Sequence, residues 1–140
     1  MKVIFCANNK ITSWLIRMFT WSRYSHVVFV EDDETIIDST FMHCGVQRRL
    51  LADVYSEYTT IEVIDIPLPD EKAALDFARA QLGKPYDKTA ILGFVFRRNW
   101  ADDGSWFCNE LIEAIAKAGG RTRFRAALSR ITPEMSWSVI

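Results

Sequence analysis

The order of apolar and polar positions divides the chain into short strands and amphipathic helices. Val3 to Ala7 is an unbroken apolar run of strand length, which predicts a buried strand. Behind it Ile11, Trp14, Leu15 and Met18 recur at the i, i+3, i+4, i+7 spacing of an amphipathic helix, with Asn9 as the expected cap. Ser25 to Glu31 and Glu34 to Thr40 are rich in Val, Ile, Phe and Thr, and the polar pair Asp32-Asp33 between them predicts a hairpin. Gly45 to Arg49 offers another strand. Thr59 to Leu68 offers one more, ended by Pro67 and Pro69, which cannot donate to a ladder.

The helical period then takes over. Asp70 and Glu71 suit the positive end of a helix whose stripe is Ala74, Phe77, Ala78 and Leu82 and whose stop is Gly83. Ala90 to Phe96 is mixed. Ala101 to Ser105 supplies several candidate caps for a helix reaching Gly119-Gly120, with Cys108, Leu111, Ile112 and Ile115 turned inward. Thr132-Pro133-Glu134 predicts a last helical turn. The sum is an α+β fold with a central, mainly antiparallel sheet and the Cys108 helix packed against it. With 140 residues and neither repeat nor linker, residues 1–140 are expected to form one domain.

Composition narrows the function. Half the residues are apolar (49%) and 13% are aromatic, enough for a packed core and against disorder. Seventeen basic and eighteen acidic side chains give a net charge of -1, so no global field draws the chain to nucleic acid. The clusters Arg97-Arg98 and Arg121, Arg123, Arg125 are read as solvated surface. Cys6, Cys44 and Cys108 are an odd set and no disulfide framework. Without a signal-peptide run or an apolar stretch of membrane length, the expected compartment is the cytosol, with no integral membrane segment. His43-Cys44 has no second pair at zinc spacing, and Gly83-Lys84 lacks the rest of a phosphate loop, so no metal or cofactor is expected.

Cys108 carries the chemistry. It falls in the first turn of a predicted helix, where unpaired N–H groups favour a thiolate; the same position also starts an apolar stripe, where cysteine acts as a small hydrophobe. His26 opens a strand, a rigid mount for a base that could take the thiol proton. The next strand offers Asp38 and Ser39 on opposite faces to orient the ring. A two-residue turn at Asp32-Asp33 would set Ser39 opposite His26, and an odd-numbered connection would set Asp38 there. Asp38 is preferred because an acid both orients the ring and stabilises imidazolium.

Five segments together resemble a family. Ser25-His26-Val27-Val28-Phe29-Val30, Thr35-Ile36-Ile37-Asp38, Gly83-Lys84-Pro85-Tyr86-Asp87, Trp106-Phe107-Cys108-Asn109-Glu110-Leu111-Ile112 and Ile131-Thr132-Pro133 are similar to the NlpC-type papain-like hydrolases. Histidine precedes cysteine here, as in the circularly permuted branch of YiiX-like proteins and lecithin:retinol acyltransferases. The resemblance implies a papain-like fold with Cys108 as nucleophile, His26 as base, Asp38 as the polar third member and Tyr86 beside the reacting carbonyl. Tyr86 could equally pack beneath its loop.

The implied activity is hydrolysis of an amide bond, in a peptide or peptidoglycan stem, through a Cys-His-Asp triad and a thioester. Two alternatives stand beside it: a lipid acyltransferase or thioesterase of the same fold, with Trp14, Trp21 or Trp100 touching lipid, and a catalytically silent binding module. The chain departs from the family pattern at Val28, where glycine is common and the bulkier side chain could narrow the cleft. It departs again at Asn109, where serine is common, and at Asp38, where histidine or a neutral amide is more usual.

Overall fold

Ten elements follow one another in the computed structural model, which describes residues 1–40, 42–86, 105–124 and 131–139. They are β1 (Lys2–Ala7), α1 (Ile11–Thr20), β2 (His26–Val30), β3 (Thr35–Thr40), β4 (Gly45–Leu50), α2 (Leu51–Glu57), β5 (Thr60–Asp65), α3 (Glu71–Ala80), α4 (Cys108–Ala118) and α5 (Pro133–Ser138). The strands form one sheet in the order β4-β3-β2-β1-β5, with every neighbouring pair antiparallel. The fold is α+β.

The unbroken apolar run of β1 has its reason in the topology. As the inner strand between β2 and β5, it buries both faces. Val3 and Phe5 join Val27, Phe29 and Ile37 beneath α3 and α4, whereas Ile4 joins Val28, Ile36 and Val54 on the side covered by α2. Helix α4 is buried along nearly its whole length, Cys108 to Ala116, and makes the larger core with Leu111, Ile112 and Ile115.

Beyond the end of β2 the Glu31 N–H donates to the Thr35 carbonyl at 3.0 Å, and this facing pair closes a three-residue loop, Asp32 to Glu34. Asp32 stabilises it by accepting from the N–H groups of Glu34 and Thr35. Its odd length keeps His26 and Asp38 on the same face, but the register differs from direct opposition. Phe29 pairs with Ile37, so Asp38 sits diagonally from His26, one pleat along.

Three local expectations change. Asn9 does not cap α1; the N-cap is Lys10, whose N–H donates to the Asn8 side chain instead. The Ala101–Ser105 run does not cap α4. Residues 101–104 lie outside the described set, Ser105 precedes the helix by three positions, and Glu110 reaches back to accept the Phe107 N–H at 3.1 Å. Helix α2, only seven residues long, is too short to show a period and was not expected. The mixed segment Ala90–Phe96, and with it Arg97, Arg98, Trp100 and Arg125, lies outside the described residues.

Asp70 accepts from the Ala73 N–H and Thr132 from the Met135 N–H, each at the start of a helix the sequence places correctly. Arg123 overturns its surface assignment. Its side chain is buried and pairs at 3.3 Å with Glu113, which is buried as deeply on α4 and also accepts from Ser136 of α5. The pair ties the last helix to the core.

Candidate active site

Cys108 is the first residue of α4, and the segment leading into it is held from three sides. The Ser39 hydroxyl donates to the Trp106 carbonyl at 2.6 Å, Trp106 Nε1 donates to Gln81 Oε1 at 3.1 Å, and the Trp106 N–H donates to the Pro85 carbonyl at 3.0 Å. Asn109, one residue on, donates through Nδ2 to the Ile131 carbonyl at 2.9 Å. Asn109 is therefore a buried strut between α4 and the chain before α5.

Helix α4 packs on the face of Val27 and Phe29, whereas alternation along the strands puts His26, Asp38 and Cys6 on the face of Val28, Ile36 and Ile4. The two meet at the end of the sheet where β2 begins. There Cys108 and the His26 ring lie on the wall of one cavity, close enough for the sulfur to raise the ring's affinity for its proton. On the far side of the ring, His26 Nε2 lies 3.0 Å from Asp38 Oδ2. With Nε2 committed to the carboxylate, Nδ1 is the ring nitrogen left for the sulfur.

The ring is almost fully enclosed, and Tyr58 stacks on it at 5.9 Å between centroids and 18° between planes. Burial works against a charged imidazole, but the hydrogen bonds and charges of Asp38 and Cys108 outweigh it and push His26 up to about 10. A second cation stands behind the acid. Arg49 of β4, its side chain buried, donates through Nη1 to Asp38 Oδ2 at 3.3 Å and forms an ion pair through Nη2 with Glu57 Oε2 at 2.7 Å. Burial and the Asp38 charge also raise the Tyr58 hydroxyl, burial being the larger cause, so it stays neutral.

Of the residues singled out from the sequence, Cys108, His26 and Asp38 come together, and Ser39 turns to the opposite face to hold the Trp106 loop. Tyr86 is buried beside Phe107, with ring centroids 6.0 Å apart, and also lines the cavity in front of Cys108. Val28 does not narrow that cavity. It is wholly buried among Ile4, Ile36 and Val54. Arg49, Glu57 and Tyr58 were missed; β4 is exposed at Gln47, Arg48 and Leu50, so no period marked Arg49 as inward, and Tyr58 gave no signal.

The cavity has a volume of about 390 Å3, and its walls include His26, Cys108, Tyr58 and Tyr86 together with Leu15 and Ile16 of α1. That is the size of a small-molecule or peptide-side-chain site. Cys6, paired with His26 across β1 and β2, is sealed in the core, and burial, with the nearby Cys108 and Asp38, holds its thiol far above the ordinary range. Among the described residues no group of three or more His, Cys, Asp or Glu side chains could hold a metal, and no helix is long and apolar enough to cross a membrane. A scan against protein-family models and a search of the curated proteins return no match to this chain.

Proposed function

We propose that this protein is a cysteine hydrolase of the permuted NlpC, papain-like type, acting on an amide bond through a thioester. The observation that supports it is the convergence, from three separate elements, of Cys108 at a helix N-terminus and the His26 ring on the wall of one cavity, with the Asp38 carboxylate bonded to the ring behind them.

In this reading Cys108 gives its proton to His26 and its sulfur attacks the substrate carbonyl carbon. The carbonyl π bond opens to an oxyanion, which the Cys108 N–H, a first-turn donor with no carbonyl in its own helix, is positioned to meet. When the C–N bond breaks, His26 returns the proton to the amine. Water then attacks the thioester, His26 takes its proton, and the carboxylic acid leaves as the thiol re-forms. Asp38 keeps the ring oriented and compensates its charge throughout. Tyr86 is the second group facing the carbonyl.

A second reading, transfer or hydrolysis of a lipid acyl group by the same cysteine, is favoured by one observation: the cavity is walled by the aliphatic side chains Leu15, Ile16 and Met42 as well as by polar groups. A panel of peptide amides, peptidoglycan stem peptides and acyl lipids, assayed with wild type and Cys108→Ala side by side, tests both. Turnover of an amide that Cys108→Ala lacks supports the first; turnover of acyl lipid alone supports the second. No Cys108-dependent turnover of any, with unreactive sulfur, would leave a binding module.

A further inference from the structure

Helix α1 is inside out. Its residues fall about 100° apart around the axis, so Ile11, Trp14, Leu15, Met18 and Phe19 share one arc, and Ser13, Ile16, Arg17 and Thr20 share the other. The polar arc is the one turned to the protein. Ser13 and Thr20 are buried, and the Ser13 hydroxyl donates to Ser25 on the strand edge at 2.7 Å. The apolar arc faces outward: Ile11 is 76% exposed, Trp14 54% and Phe19 51%. Trp21, 91% exposed, follows in the left-handed region at φ 52°, a conformation costly for a bulky side chain, which holds the indole away from the fold.

The same surface runs into the cavity. Leu15 of α1 and Met42 of the β3–β4 turn are both exposed and both line its wall, so the outward apolar arc and the cavity mouth are continuous. Charge is one-sided here. Asn8 to Val30 contains Lys10, Arg17 and Arg23 and no acidic residue; Arg23 is matched by Glu134, Lys10 is exposed at the start of the helix, and Arg17, half-buried, sits at the edge of the polar arc three residues after Trp14. An apolar arc with tryptophans, cations at its flanks and no acid is the composition that lies in the headgroup plane of an anionic bilayer.

We propose that α1, with Trp21 and Met42, is a docking surface for an anionic lipid bilayer, seating the cavity mouth on the membrane. The occupant is the bilayer interface, not a second copy, because cations flank the apolar arc and two like-charged arcs facing each other would repel. The inference goes beyond the proposed hydrolase activity and does not depend on it, since it concerns where the protein sits and not what Cys108 does.

The full chain is tested by co-sedimentation with vesicles of phosphatidylcholine containing phosphatidylglycerol, and with phosphatidylcholine alone. Wild type should sediment with the mixed vesicles, less with neutral ones, and less as salt rises. The exposed-site triple variant Trp14→Ser, Phe19→Ser, Trp21→Ser should keep its circular dichroism spectrum and bind more than about tenfold more weakly. Cys108→Ala should bind as wild type does, which separates docking from catalysis. The proposal is overturned if wild type stays in the supernatant at low salt, if the triple variant sediments equally well, if Cys108→Ala loses binding, or if wild type proves a dimer that the triple substitution splits without any vesicle binding.

Discussion

His26 and Asp38, twelve residues apart on adjacent strands, are joined Nε2 to Oδ2 at 3.0 Å, with the carboxylate fully buried and its other partner the Arg49 guanidinium. The acid is thus shared by two cations, and the ring has one nitrogen fixed before any substrate arrives. Preorganisation of this kind lowers the cost of placing charge on the imidazole during reaction.

The three thiols should separate by reactivity. Cys108 shares a cavity wall with the His26 ring, whose proton is held tightly, Cys44 is exposed, and Cys6 is buried with its thiol held protonated. Iodoacetamide at mildly acidic pH should label Cys108 at least about tenfold faster than Cys44 and leave Cys6 unlabelled until denaturant is added. His26→Ala should bring Cys108 down to the rate of Cys44, read by peptide mass spectrometry; equal labelling of all three in wild type would contradict the relay.

Stability should carry the signature of a raised histidine. The ring binds its proton more tightly folded, at about 10, than in the unfolded chain, ordinarily about 6.5. Its contribution is therefore complete below pH 6.5 or so and is lost as pH climbs through about 10. Denaturation midpoints of wild type should fall across that window more steeply than those of His26→Gln, and Asp38→Asn should lower the His26 titration seen by NMR by at least about one unit.

Arg49 should matter for stability as well as for the site. Arg49→Met leaves Asp38 with only the imidazole and Glu57 without a cation. The expected cost in urea denaturation is about 2 kcal/mol, below the usual loss for an orphaned buried ion because His26 still faces Asp38. Arg49→Lys should recover part of it.

Gly45 is a backbone requirement. At φ 145° it lets β4 approach the Lys84–Tyr86 segment, whose Lys84 carbonyl accepts the Val46 N–H at 2.8 Å, and an added Cβ would overlap that carbonyl. Gly45→Ala should cost about 1–3 kcal/mol in thermal or urea unfolding. It should also lower turnover by shifting Tyr86.

Much of the architecture lay in the linear order of residues. A continuous apolar run marked β1, runs rich in β-branched residues marked β2 and β3, and capping residues marked the starts of α3 and α5, because each depends on neighbours within a few positions. Cys108, His26 and Asp38 were legible as chemical types placed on rigid elements. Their meeting was not: it required a particular register across a three-residue loop and a helix end reaching around the sheet. The face α1 turns outward, the burial of Arg123 and the presence of Arg49 and Tyr58 around the ring were likewise decided only in three dimensions. A period tells which side chains share an arc, whereas the packing of distant segments determines which arc faces water.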